Sequence, residues 1–95
     1  MNLSDIRKRI DEVDDQLAKL FCERMHLVTL IAIAKWQQGL PLNDNLREQE
    51  ICERAARQSG IEFAPYVRRF FSALFGISKD YQILRAPTEK SSDKG

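Results

Sequence analysis

The stretch FCERMHLVTLIAIAKWQQ, residues 21–38, decides the fold of this chain. It is an apolar run with a helical period, interrupted by Arg24 and ended by Lys35. These two residues are separated by close to three whole helical turns, so both point to one side of a helix, about 16 Å apart along its axis. Two full positive charges therefore occupy a face on which packing alone would place leucine.

The same apolar face continues towards the N-terminus. Its positions repeat at spacings of four and three residues, which is typical of a coiled-coil seam, and they are Ile6, Ile10, Val13, Leu17 and Leu20. The pattern predicts one helix from about Ser4, its N-cap, to Gln38, roughly 50 Å long. A compact domain of this size has a diameter of only about 30 Å. The helix must overhang its own domain, and its exposed apolar surface predicts a homodimer.

Glycine and proline divide the rest of the chain. They cluster at residues 39–41 and 60–65 and recur at Pro87, and between them the apolar period is helical, without strand alternation. We predict helices at 45–59 and 64–85, with NLRE (45–48) as a capping box and Pro65 in the first turn of the last helix. The predicted fold is all-α, with a three-helix domain over 1–85 and a polar, flexible C-terminal tail over 86–95.

The composition limits the classes of function. Hydrophobic residues make up 43% and charged residues 31% of the 95 residues, and 15 basic against 14 acidic residues leave a net charge of +1. This balance argues against nucleic acid or a membrane surface as a partner. The charged N-terminus has no signal-peptide pattern, and the longest near-apolar run, 27–34, is too short for a membrane span. We expect a cytoplasmic protein in which Cys22 and Cys52 are buried, reduced thiols.

The second and third helices also carry polar residues on apolar faces. Glu48 lies on such a face of the second helix, and Ser78 and Gln82 lie on that of the third. Each residue alone is common enough, because long cationic side chains reach solvent from apolar faces and serine or glutamine occurs near helix ends. Together with the two cations of the first helix they are harder to explain, since unpaired buried charges are costly. If all five converge, they line a cationic cavity suited to a small, oxygen-rich anion.

Other catalytic patterns are missing from the sequence. There is no nucleophile paired with a base, no metal-ligand cluster and no glycine-rich phosphate loop, so neither a metal nor a cofactor is expected. The single histidine, His26, is interpreted as a packed or surface residue. Trp36 is interpreted as a core or dimer contact.

Arg7 cannot serve a cavity formed by its own chain. It precedes Arg24 by about 25 Å of helix and lies roughly a quarter-turn off the same face. In an antiparallel pairing of two long helices, Arg7 could instead reach the cavity of the partner chain.

The whole pattern resembles the all-helical chorismate mutases, the AroQ type of bacteria. The resemblance lies in IRKRIDEVDDQL (6–17), ERMHLVTLIAIAK (23–35), PLNDNLREQEI (41–51) and FGISKDYQ (75–82). The functional positions of that family fall on Arg7, Arg24, Lys35, Asp44, Arg47, Glu48, Ser78 and Gln82. Met25 and Asn43 depart from the residues that are usual in the family, and we expect only local effects on packing or charge.

The resemblance implies an enzyme of Phe and Tyr biosynthesis, an intertwined homodimer that converts chorismate to prephenate without a cofactor. Arg24 and the partner's Arg7 would bind the two substrate carboxylates, for which the planar guanidinium is well suited. Lys35 and Gln82 would donate hydrogen bonds to the ether oxygen as the C–O bond breaks.

The remaining family positions would bind or orient the ring. Glu48, assisted by the Asp44 segment, would bind the ring hydroxyl, and Ser78 and Arg47 would orient the substrate or anchor neighbouring side chains. Two sibling activities on the same fold stay open: isochorismate-pyruvate lyase, whose members tend to lose the acidic residues seen here, and 4-amino-4-deoxychorismate mutase. A non-catalytic helical dimer is a third interpretation, against which the intact set of cations argues.

Overall fold

The computed structural model describes residues 2–85 and contains three α-helices. They are α1, Leu3–Gln38; α2, Asn45–Ser59; and α3, Ala64–Arg85. Residues 2–85 contain no strand, so the all-α prediction is confirmed, as are the bounds of the second and third helices. The predicted polar tail, 86–95, lies outside the described residues.

Both of the predicted N-caps are displaced. The N-cap of α1 is Asn2, whose side chain accepts from the Asp5 backbone N–H at 2.9 Å, and Ser4 already lies within the first turn. The N-cap of α2 is Asp44, which accepts from the Arg47 N–H at 3.1 Å, so the predicted capping box over 45–48 is wrong. In each case a residue just upstream caps the helix, since asparagine and aspartate are among the best N-caps.

Gly39 ends α1 and turns the chain towards α2. Its φ of 70° is in the left-handed region, which a side chain would strain. In this turn the backbone N–H of Leu40 donates to the carbonyl oxygen of Lys35 at 2.8 Å. The turn therefore fixes the end of α1 just after Lys35, which lies in the last turn of the helix.

The core is small and α3 packs against both other helices. The buried apolar side chains are Val28 and Ala32 from α1, Ala56 from α2, and Leu74 and Phe75 from α3. Ala32 and Ala56 are each only 1% exposed, and their small side chains allow α3 to approach both neighbours closely. From α1, the core of residues 2–85 therefore includes only the C-terminal half.

Within residues 2–85, the N-terminal half of α1 packs against no other element. Every residue from 2 to 23 is exposed, including the whole predicted seam. The molecule extends 63 Å along its longest axis, and its radius of gyration is 17.5 Å, against about 12 Å for a compact chain of this length. The predicted overhang of the first helix is confirmed.

Three smaller expectations are affected by this shape. Cys22 lies on the overhang and is exposed, so its predicted burial is wrong, whereas Cys52 is half-buried and both thiols are free. Trp36 is exposed and is not part of the core of this chain.

Among the described residues, none of the helices combines the length and apolar character that a bilayer crossing requires. The cytoplasmic location stays a prediction.

Candidate active site

A cavity of about 660 Å³ opens between the C-terminal half of α1, the segment before α2, and the facing sides of α2 and α3. Seven of the eight predicted site residues line it, namely Arg24, Lys35, Asp44, Arg47, Glu48, Ser78 and Gln82. Its apolar walls come mainly from the three helices and include Leu27, Ile31, Ile51, Phe71 and Phe75. The polar interruptions of the three helices therefore converge on one cavity.

Arg24 is held on two sides by α3. Its Nη1 donates to Ser78 Oγ at 2.9 Å, and its guanidinium carbon lies 5.6 Å from the centre of the Phe75 ring. Burial lowers the pKa of the Arg24 guanidinium, and the negative charge of Glu48 opposes this shift. An arginine stays protonated in proteins, so the cavity contains a fixed, partly desolvated positive charge.

Lys35 projects from the last turn of α1 beside the following loop. Its Nζ donates to the carbonyl oxygen of Leu42 at 3.1 Å. A lysine ammonium has three donors and no acceptor, so two N–H groups remain for a bound molecule. The bond to Leu42 also positions the loop that leads to Asp44.

Gln82 is the most deeply placed polar side chain of α3 apart from Ser78. Both are buried, with 8% and 5% of their surfaces exposed. The Nε2 of Gln82 donates to the carbonyl oxygen of Val28 at 3.0 Å. This bond fixes the orientation of the amide and leaves one of its two N–H donors for the cavity.

Glu48 faces the cavity from the first turn of α2 and is paired with α3. The Nζ of Lys79 lies 3.1 Å from one of its carboxylate oxygens and 3.0 Å from the other. The pair is partly shielded, with 26% of the Glu48 side chain and 36% of the Lys79 side chain exposed. It connects α2 to α3 across one wall of the cavity.

Asp44 and Arg47 lie at the rim, at the start of α2. The Asp44 carboxylate caps the helix through the Arg47 backbone N–H, while the Arg47 Nη1 is 3.7 Å from a carboxylate oxygen of the exposed Glu50. Such an exposed pair contributes little to stability. The Arg47 guanidinium therefore lies at the rim with only a weak restraint from Glu50.

The sequence profile of the family described as chorismate mutase type II matches residues 6–83. This chain belongs to that family. The match runs from the first turns of α1 to the last turn of α3 and includes every residue of the cavity wall.

Individual relatives match over shorter segments. A chorismate mutase of Methanocaldococcus jannaschii is 46% identical over 52 residues, which is 55% of this chain and 52% of the relative. The T-protein of Haemophilus influenzae is 39% identical over 62 residues, or 65% of this chain and 16% of the relative. A bifunctional chorismate mutase/prephenate dehydratase of Aquifex aeolicus is 36% identical over 55 residues, which is 58% of this chain and 15% of the relative.

The chain thus spans about half the length of the first of these relatives and a much smaller part of the other two. No solved structure shows a significant match to this chain.

One predicted site residue does not reach the cavity. Arg7 is exposed on the overhang of α1 and is not among the residues that line the cavity. The helix continues without interruption from Leu3 to Gln38, so the distance expected from the sequence, about 25 Å between Arg7 and Arg24 along the axis, holds. Arg7 therefore lies outside the cavity of its own chain.

Sequence reasoning missed other polar residues of the cavity. Lys79 precedes Gln82 by three residues, and this spacing places both on one side of α3, so the signal was present. Arg54 and Gln58 follow Ile51 at spacings of three and seven on α2 and also line the cavity.

The described residues contain no group of three or more histidine, cysteine, aspartate or glutamate side chains that could hold a metal ion.

Proposed function

We propose that this chain is a chorismate mutase, which converts chorismate to prephenate by a concerted [3,3] rearrangement. The observation that carries the proposal is the arrangement of Arg24, Lys35 and Gln82 around one cavity, each held by a hydrogen bond to a neighbouring part of the fold. A concerted rearrangement needs a folded substrate and charge stabilisation rather than a nucleophile. The cavity offers fixed cations and oriented donors for both purposes.

Arg24 binds one carboxylate of the substrate. Its contacts with Ser78 and Phe75 restrict the guanidinium, so less conformational freedom is lost when a carboxylate binds. Ser78 acts through Arg24, as an anchor, rather than on the substrate. The partner's Arg7 supplies a second guanidinium for the other carboxylate.

Lys35 and Gln82 stabilise the ether oxygen on which negative charge develops as the C–O bond breaks. Both groups have N–H donors beyond those used within the protein, and those internal bonds orient them before the substrate arrives. Donors that are already oriented need not reorganise during the reaction, which is why they lower the barrier. Glu48 accepts a hydrogen bond from the ring hydroxyl, and Asp44 and Arg47 shape the entrance.

Product analysis tests this function directly. When purified protein is mixed with chorismate, the near-ultraviolet absorbance of chorismate should disappear and prephenate should form. The sibling activities are distinguished by their own substrates and products: isochorismate would give salicylate and pyruvate, and the 4-amino analogue of chorismate its own rearranged product. A folded protein that leaves chorismate unchanged under these conditions would refute the proposal.

We further propose that two chains form an intertwined homodimer with α1 at its centre. The support is the exposed apolar face of the overhang, which includes Ile10, Val13 and Leu20 at 52%, 54% and 60% exposure. Monomeric proteins rarely expose so long an apolar stripe. Sedimentation at low micromolar concentration is expected to give a dimer. A folded, active monomer at that concentration would contradict this proposal.

Subunit exchange tests whether Arg7 acts in the partner's cavity. Arg7→Ala and Lys35→Ala, each inactive alone, are unfolded and refolded together. In a mixed dimer one cavity receives the intact Lys35 and the intact Arg7, and the other receives both defects. Random pairing makes about half of the dimers mixed, so activity should return to about a quarter of the wild-type value per chain.

A second mixture provides the matched control. Wild-type chains refolded with an equal amount of the Arg7→Ala, Lys35→Ala double variant keep about a quarter of the full activity if sites are shared, because each mixed dimer then has two defective sites. Unshared sites would keep about half. Exchanged dimers of the two single variants that stay inactive would rule out a shared site.

A further inference from the structure

The pairing of Lys79 with Glu48 places a lysine beside the group proposed to bind the ring substituent of the substrate. Glu48 projects from α2 and Lys79 from α3, and both line the cavity. The Lys79 ammonium is within hydrogen-bond distance of both carboxylate oxygens, 3.0 Å from one and 3.1 Å from the other. Lys79 is also adjacent in sequence to the buried Ser78, which anchors Arg24. The lysine is therefore fixed by the same part of α3 that builds the cavity.

The geometry leaves Glu48 able to accept one further hydrogen bond. An ionised carboxylate offers about four lone-pair directions, and Lys79 occupies one side of each oxygen at most. A hydroxyl donor can use a remaining lone pair without disturbing the ion pair. Because the positive charge of Lys79 lies against the Glu48 carboxylate, a dianionic substrate also meets less repulsion from this wall.

An ammonium group in place of that hydroxyl meets different electrostatics. Bound to the same carboxylate, it would lie roughly 4–6 Å from the Lys79 ammonium, given ordinary hydrogen-bond lengths on either side of the carboxylate. Like charges at that distance repel, and their partial burial reduces the screening by water. One carboxylate would then serve two cations in a wall that already faces Arg24.

We propose that Lys79 is a positioning and specificity residue, which holds Glu48 for a hydroxyl-bearing substrate and disfavours a substrate with an ammonium group at the same ring position. The inference rests on the proposed function, because it takes the ring substituent to be the group that Glu48 contacts. Lys79 acts by holding Glu48 and by its positive charge beside it, and it does not itself touch the reacting atoms.

The test compares chorismate with 4-amino-4-deoxychorismate, as bound ligands by calorimetry and as substrates by kcat/KM. Lys79→Met removes the charge and keeps the side-chain length, and Lys79→Arg keeps the charge. Arg69→Met is the matched control, since it removes an exposed cation from the same helix at a position that does not line the cavity. Circular dichroism establishes that each variant is folded.

Lys79→Met is expected to shift the ratio of kcat/KM values towards the amino compound by about tenfold or more, as removal of a like charge near a binding group predicts. Its loss with chorismate should lie mainly in KM, because the freed Glu48 repels the dianion before the bond shift. Lys79→Arg should restore the wild-type ratio, and Arg69→Met should leave it unchanged. If Lys79 contributed only to stability, Lys79→Met would lower kcat/KM equally for both substrates.

The outcomes separate this inference from the proposed function. A folded Lys79→Met variant with an unchanged preference, in a protein that makes prephenate, overturns the role of Lys79 alone. A wild-type protein that binds both compounds without turnover, with an affinity ratio that Lys79→Met still shifts, refutes the mutase activity and supports the role of Lys79. Binding of neither compound overturns both.

Discussion

Lys35→Ala is expected to lower kcat for the conversion of chorismate to prephenate by about 100- to 1,000-fold, the usual effect of removing an oriented donor from a developing negative charge. The proposed role of Lys35 is confined to the transition state, so kcat and kcat/KM should fall together. Steady-state kinetics on the purified protein, followed by chorismate absorbance, measures both values.

The structure identifies a second role that this experiment must separate. Lys35 also donates to the carbonyl oxygen of Leu42, and losing that bond is expected to cost about 1 kcal/mol of stability, the typical net value of one hydrogen bond. Lys35→Met, which keeps the apolar stem, should show the same loss of kcat with a smaller change in packing. A rise in KM with kcat unchanged would show that Lys35 binds substrate without stabilising the transition state.

Gln82→Glu is expected to make activity depend on acid. At neutral pH the new carboxylate cannot donate to the ether oxygen, and it would place a negative charge against the carbonyl oxygen of Val28, which now accepts from the amide. Loss of the donor should lower kcat by about 100-fold at pH 7. Burial raises the pKa of a carboxyl group because it disfavours the charged form. Protonation restores a donor, so activity should rise as the pH falls.

The comparison requires a variant without any titratable group. Gln82→Met fills the same space with no donor, and its activity should be low at every pH at which the protein is folded. The protonated carboxyl has a single O–H, for which Val28 and the substrate compete, so recovery in Gln82→Glu should stay incomplete. A pH profile of that variant parallel to the wild-type profile would remove Gln82 from the proposed role.

Much of the fold could be predicted because the signals are local. The bounds of α2 and α3 follow from the glycine and proline residues between them, and the length of α1 follows from an uninterrupted apolar period. The N-caps were displaced because several residues near each helix start can serve equally well. Asn2 and Ser4 compete at α1 and Asp44 and Asn45 at α2, and the backbone geometry that selects one of them is not a local property of the sequence.

The site was predictable as a set of anomalies, not as a set of contacts. Arg24, Glu48 and Gln82 stand out because each interrupts an apolar face, and such interruptions are costly unless they converge. Lys79 shares one side of α3 with Gln82, but only its distance from Glu48 in the folded chain reveals the ion pair. The hydrogen bond between Arg24 and Ser78 likewise depends on how α1 and α3 pack, which the sequence does not specify residue by residue.

Because half of α1 is exposed, the stability of each folded chain depends on the concentration of the protein. A small core, with five buried apolar side chains in the part of the chain that the structure describes, gives one chain little reserve against unfolding. If the seam is covered by a second copy, most of the apolar burial of this protein is intermolecular, and its free energy of unfolding then rises with the logarithm of concentration. Dilution would separate the chains, expose the seam and dismantle both cavities in a single transition. A cell that makes too little of this protein would then lose activity out of proportion to the number of missing chains.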